Sequence, residues 1–332
     1  MIRIGLSALS FSYRCGIIGR GTSRMISRPT DVEALMSLAS RAGLQTIEFP
    51  FSLLPDLDPA RLARIKARLA VFGLIPILDS DVANRTTLEQ HIPAAAALGA
   101  RVLRVLVSDV IEGARSMLTG GWEAQLQHVI TTLQQIRPLA EAHHVILAIE
   151  NHQDATSEDL LRICHEVGGD YIGVTLDPIN AITVAEEPLN ITRALGPYIR
   201  NIHLTDYLVY PSEQGYRIVR CALGEGGMNF RSFFELVNSI APQATCQIEL
   251  TAHNARHIRL LTEEWWEEYG PRDIRRVLPA LRLMAQNLRT ADEDWRTPWE
   301  RGADELAITH YEDQQFAASV AYLRTIGVLG KV

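Results

Sequence analysis

Cysteine is scarce in this chain and never paired at metal-finger spacing. Cys15, Cys164, Cys221 and Cys246 are scattered over 332 residues. That argues against a disulfide framework or a thiolate zinc site and suits a reducing compartment. Long apolar runs are also missing, and no stretch approaches the roughly 20 residues that a membrane helix needs. The opening run, MIRIGLSALSFSY, is broken by Ser7, Ser10 and Ser12, so it reads as a first strand rather than a secretory leader. Positive charge is not in excess: the formal net charge is −7, which weighs against nucleic acid as a partner. No GxGxxG follows the first strand, which weakens a dinucleotide-binding fold. No low-complexity linker sets off a second independent domain. The expectation is a cytoplasmic globular protein with neither membrane nor nucleic acid among its partners.

What is present is alternation. Short β-branched runs, at Arg3–Ser7, Thr46–Pro50, Leu74–Asp79, Val102–Val107, Val145–Glu150, Ile172–Asp177, Ile199–Asp206 and Thr245–Leu250, are separated by helical patterns. Several are apolar until a polar residue at the end, as in VILAIE, IGVTLD and CQIEL, which is how strands covered on both faces read. Helix signals lie between them. Thr30 or Asp31 can cap a helix that Gly43 ends, Pro59 opens one that Gly73 closes, and Trp122–His143 is the longest. Eight such repeats have two common solutions, and eight strands favour a closed (β/α)8 barrel over an open sheet. Residues 1–289 are assigned to this barrel. Residues 207–229 are surplus to a minimal barrel and suit a hairpin over its mouth. Residues 290–332 form an extension with a last helix pattern at Tyr311–Thr325, expected to pack on the barrel or on a partner subunit. A homo-oligomer is therefore an expectation.

Only residues at the C-terminal ends of barrel strands reach an active site. The fifth to eighth strands end in or near Glu150, Asp177, His203 and Glu249. Three carboxylates crowded together raise one another's pKa unless a cation joins them. With one imidazole they form a hard oxygen–nitrogen set suited to one divalent ion, Mn2+ first, with Mg2+, Co2+ or Zn2+ as alternatives. Any one of these carboxylates alone reads equally well as a helix cap or a loop ion pair; their recurrence on four consecutive strands carries the metal reading.

The runs LAIENH, GVTLDPIN, RNIHLTD and CQIEL resemble the metal motifs of the xylose isomerase-like barrel superfamily, over roughly residues 2–250. The resemblance implies that the four residues bind one metal, and that Glu150 and Glu249 also serve as an acid–base pair. LGEGGMNF is similar to that group's Gly-x-Gly turn after the seventh strand. There are departures. Asn180 stands where many relatives place a histidine three residues after the aspartate. Thr205 replaces a lysine, although Asp206 is retained. The earlier strand ends, LDSDVAN and LVSDV, lack the extra histidines of endonuclease IV.

His152 lies two residues past Glu150, so along an extended segment both point the same way. Its pKa range suits a base for a proton beside a carbonyl, or it merely hydrogen-bonds its neighbours. Arg104 and Glu48 are charges inside apolar strands, and each either pairs, conceivably with the other, or reaches substrate. Asn180, Asp206, His253 and His257 complete the candidate substrate contacts; the two histidines read equally well as surface residues. Trp265 and Trp266 suit stacking on a sugar or anchoring of the extension. The functional expectation is a metal-dependent sugar isomerase or epimerase working through an enediolate. A lyase acting on an oxo-sugar or oxo-sugar acid shares its first steps. A non-catalytic sugar- or partner-binding barrel is a further alternative, but none of the four ligands is missing.

Overall fold

The computed structural model describes residues 2–250 and 253–330. Eight parallel strands close a barrel: β1 (Arg3–Ser7), β2 (Thr46–Pro50), β3 (Ile75–Val82), β4 (Val102–Leu106), β5 (Ile146–Glu150), β6 (Ile172–Leu176), β7 (Ile199–Leu204) and β10 (Thr245–Ile248). Three more strands, β8 (Asp206–Ser212), β9 (Gly215–Cys221) and β11 (Arg256–Ile258), form a separate antiparallel sheet at the mouth. The helices are α1 (Val32–Arg41), α2 (Pro59–Phe72), α3 (Arg85–Leu98), α4 (Trp122–His143), α5 (Ser157–Val167), α6 (Asn180–Thr183), α7 (Pro188–Leu195), α8 (Phe230–Ile240), α9 (Glu263–Trp266), α10 (Ile274–Gln286) and α11 (Glu305–Thr325). Every expected barrel strand is present. β3 runs to Val82, three residues past its expected end. α11 starts at Glu305 rather than Tyr311 because Asp304 caps it by accepting from Ala307 N.

The local signals act as their chemistry dictates. Asp31 and Asn84 accept from the first-turn amides of α1 and α3, and Thr156 with Asp159 makes a capping box on α5. Gly73 and Gly99 end α2 and α3 in the left-handed region. Apolar side chains of the strands are buried on both sides, against the outer helices and inside the barrel.

The barrel interior also holds a polar chain. Thr46 Oγ1 donates to Gln247 Oε1 at 2.9 Å, Gln247 Nε2 donates to Asn201 Oδ1, and Asn201 Nδ2 donates to Glu48 Oε2 at 2.7 Å. All four residues are fully buried, so each polar group needs such a partner. Gly5 makes room for them: a Cβ there would fall 1.9 Å from Thr46 Oγ1.

The mouth sheet begins at once after β7. Asp206 is buried and accepts four backbone N–H groups, from Tyr207, Gly224, Gly226 and Met228. It thereby ties the start of β8 to the turn that follows β9. In this sheet Tyr207 faces Arg220, Val209 faces Ile218, and Ile218 faces Arg256. Arg220 on this face reaches Asp177, so this is the face turned toward the barrel.

The extension packs on the barrel. Phe316 of α11 meets Phe11 edge-on at 5.3 Å between ring centres. Glu312 accepts from the amides of Tyr13 and Arg14, Ser319 Oγ accepts from Leu223 N, and Arg324 donates to the Ala42 carbonyl.

Candidate metal centre and active site

β5, β6, β7 and β10 deliver Glu150, Asp177, His203 and Glu249 to one end of the barrel, and all four are buried. His203 is the hub. Its Nδ1 lies 3.2 Å from Glu150 Oε1 and 3.0 Å from Glu249 Oε2. Its Nε2 lies 2.6 Å from Glu48 Oε1. Two overlapping groups have ligand atoms within 4.8 Å of one another: Glu150 with Asp177 and His203, and Glu48 with His203 and Glu249.

The residues fit a divalent ion. Ligand atoms about 2.1 Å from a small dication and at right angles lie about 3.0 Å apart, which is the spacing around Nδ1 of His203. The charge balance points the same way. Five buried carboxyls, Glu48, Asp79, Glu150, Asp177 and Glu249, face two buried guanidiniums, Arg104 and Arg220. Among these, Glu150, Asp177, His203 and Glu249 would hold the ion. Glu48 occupies the outer side of the histidine, where a carboxylate fixes ring orientation.

The surroundings of each group set its protonation. Burial alone would keep Glu150 neutral, but Arg104, with Nε at 3.1 Å, and then His203 hold its pKa well below the ordinary range. The Arg104–Glu150 contact is an ion pair without hydrogen-bond alignment. Burial alone would neutralise His203, but Glu249, Glu48 and Glu150 push its pKa well above neutral imidazole. Burial and then the charge of Glu48 raise Asp79 well above the ordinary carboxylate range. Asp177 is placed by its neighbours: Asn151 bonds its backbone on both sides, while Thr205 and the amides of Ile179 and Asn180 donate to Oδ1. Arg220 Nη2 reaches Asp177 Oδ2 at 3.1 Å.

The candidate substrate residues separate into two sets. Asn180 is at the site, with Oδ1 accepting from Arg220. His152 is half-buried beside the cluster. Burial pushes its pKa down to about 4, and its buried Nδ1 has no hydrogen-bond partner among the described residues. Arg104 pairs with Glu150 and Asp79, not with Glu48, because β4 lies beside β3 and β5, whereas Glu48 is aimed across the barrel at β7. Asp206 is occupied by its turn amides and stands apart from the cluster. His257 faces away with Arg217, its ring bonded to Ser212. His253 is half-buried, and its carbonyl accepts from Thr297. Trp265 and Trp266 lie on the short helix α9, not on a strand; their Nε1 groups donate to the carbonyls of Glu112 and Leu260, and Trp265 stacks on Tyr269 at 4.5 Å. They anchor the mouth loops.

Sequence reasoning missed Asp79, Asn151, Asn201, Arg220 and Arg256. Asp79 had a signal, since it is the polar residue that ends the apolar run of β3. The arginines had none, because only the pairing of the mouth sheet carries them to the barrel.

A family model described as xylose isomerase-like TIM barrel matches residues 36–269. The 3-oxo-isoapionate decarboxylase of Pectobacterium atrosepticum is 19% identical over 265 residues, covering 79% of this chain and 85% of that one. A solved L-ribulose 3-epimerase superposes with a TM-score of 0.60 at 17% identity, covering 100% of this chain and 99% of that one. A crystal structure of the IolI protein with a bound zinc atom gives a TM-score of 0.57 at 14% identity, covering 86% of this chain and 96% of that one.

Proposed function

The chain belongs to the xylose isomerase-like TIM barrel family, and from that premise we propose a divalent-metal-dependent enzyme that moves a proton beside the carbonyl of a sugar or oxo-sugar. The observation that carries this is the convergence of Glu150 and Glu249 on Nδ1 of His203, with Glu48 gripping the opposite nitrogen. A bound divalent ion supplies Lewis acidity toward a carbonyl oxygen. The chain's own residues do the rest. Glu48 and Asn201 fix the tilt of the His203 ring. Arg104 keeps Glu150 ionised. His152, neutral at physiological pH, accepts the proton at its unpaired Nδ1. A proton handed back by His152 to the adjacent carbon gives isomerisation, and one delivered by a protonated Glu249 to the opposite face of the same carbon gives epimerisation, with both groups then re-equilibrating with solvent.

Expulsion of water or an aglycone from the same enediolate, or loss of carbon dioxide from an oxo-acid to form it, gives a lyase. One observation favours this second reading: the decarboxylase relative spans most of the chain.

Elemental analysis of purified protein should find about one divalent ion per chain, and His203→Ala should abolish it. Protein that folds and never binds an ion overturns the proposal. NMR in D2O with ketoses, inososes and 3-oxo-sugars then separates the outcomes. Deuterium uptake with the skeleton intact means isomerase or epimerase. Loss of water, carbon dioxide or an aglycone means lyase. His152→Ala should keep the ion and lose about 100- to 10,000-fold in turnover; full turnover removes His152 as the base.

A further inference from the structure

Arg220 and Arg256 come from neighbouring strands of the mouth sheet. Arg256 is directly opposite Ile218, so Arg220 is its diagonal neighbour on the same face. Such diagonal pairs lie about 7–8 Å apart at the backbone, within reach for long side chains. The face is the one turned to the barrel, since Arg220 Nη2 touches Asp177 and Asn180. Two guanidiniums are thus brought together over the ligand cluster, and their repulsion works against burial. Burial and then Arg220 push the pKa of Arg256 down to about 10.

Nothing among the described residues neutralises Arg256 directly. The carboxylates that act on it, Glu112 and Glu300, are engaged elsewhere. Glu112 accepts from His257 N and from Arg259, and Glu300 accepts from Ala255 N and Thr297 N. A third donor stands beside them. Asn180 is only 3% exposed; its Oδ1 is held by Arg220, and its buried Nδ2 has no partner. His152, whose buried Nδ1 is also unpartnered, feels both arginines. Two like charges, an orphaned amide donor and an orphaned imidazole nitrogen meet at the entrance to a cluster that otherwise collects carboxylates.

We propose that Arg220, Arg256 and the Asn180 amide form an anion seat, and that the substrate is an anionic sugar whose carboxylate or phosphate is held there. Paired guanidiniums bind such groups through charge-assisted, often bidentate hydrogen bonds. The seat explains why two arginines are spent on the mouth sheet when one already serves Asp177. It rests on the proposed function for the position of the sugar, whose reacting carbons then lie between the seat and His203.

Calorimetry with the purified protein, using D-gluconate, D-glucose 6-phosphate and D-glucose as probes, tests this. One or both anions should bind at least about tenfold more tightly than glucose. Preference for gluconate assigns a carboxylate, and preference for the phosphate ester assigns a phosphate. Arg256→Gln should erase the preference while metal content and melting temperature stay as in the parent, and Arg256→Lys should restore part of it. Equal affinity for glucose, no binding of either anion, or a preference that survives Arg256→Gln overturns the seat. Metal content of the same preparations reads the other assignment separately: anion preference in protein that never takes up an ion keeps the seat and overturns the proposed function.

Discussion

An imidazole bound to a metal through one nitrogen is held in place through the other. At His203 both nitrogens have carboxylate partners, and the 2.6 Å contact to Glu48 is the shorter. Glu48→Gln keeps the shape and removes the charge, and it should weaken metal binding about 10- to 100-fold, read by competition with a calibrated chelator. An unchanged affinity would mean that Glu48 does not orient the ring. The four residues proposed as ligands could be picked out of the sequence because each stands at or just past the end of a strand, where the fold class alone says which end of the barrel a side chain reaches. The role of Glu48 could not. Its partner lies 155 positions away on the far wall of the barrel, and only closure of the sheet brings the two together. Arg104 shows the converse: its sequence position left open pairing or a reach to substrate, and strand order sets it against Glu150 and Asp79.

At the level of elements, strands and helices were readable because apolar runs, caps and glycine stops each have a local cause. The mouth sheet was readable only as a surplus hairpin. Its geometry depends on Asp206, whose four accepted amides lie on both sides of the hairpin. The turn must come close to that carboxylate: a Cβ at Gly226 would lie 2.3 Å from Asp206 Oδ1. Asp206→Ala leaves buried amides unpaired and should cost roughly 2–4 kcal/mol of stability, measured by urea denaturation. Amide exchange should rise most over residues 206–228. Uniform loss of protection across the barrel would refute this local role.

For the whole molecule, α11 joins the end of the chain to its beginning. Glu312 is the link, and burial pushes its pKa up to about 7 from an ordinary 4.5. Between those values the folded chain holds the proton more tightly than the unfolded chain does. Stability from this group is therefore greatest below pH 4.5 and declines as pH rises through 7. Asp206 and Asp154, raised by burial to about 6 and about 7, add to the same slope. The urea midpoint should fall between pH 5 and 8, and Glu312→Gln should flatten part of that fall. A slope identical in the variant would show that Glu312 ionises without cost.

The barrel and its mouth sheet divide the labour between separate pieces of chain. Every candidate metal ligand comes from a barrel strand or the residue just past one, while Arg220 and Arg256 ride on β9 and β11. On the proposed reading, exchanging that small sheet for another of equal span would retune what the site accepts, provided the arginine that also reaches Asp177 is kept. The mouth sheet is thus a natural cassette for directed evolution, and the first place to graft sequence from a barrel that handles uncharged sugars.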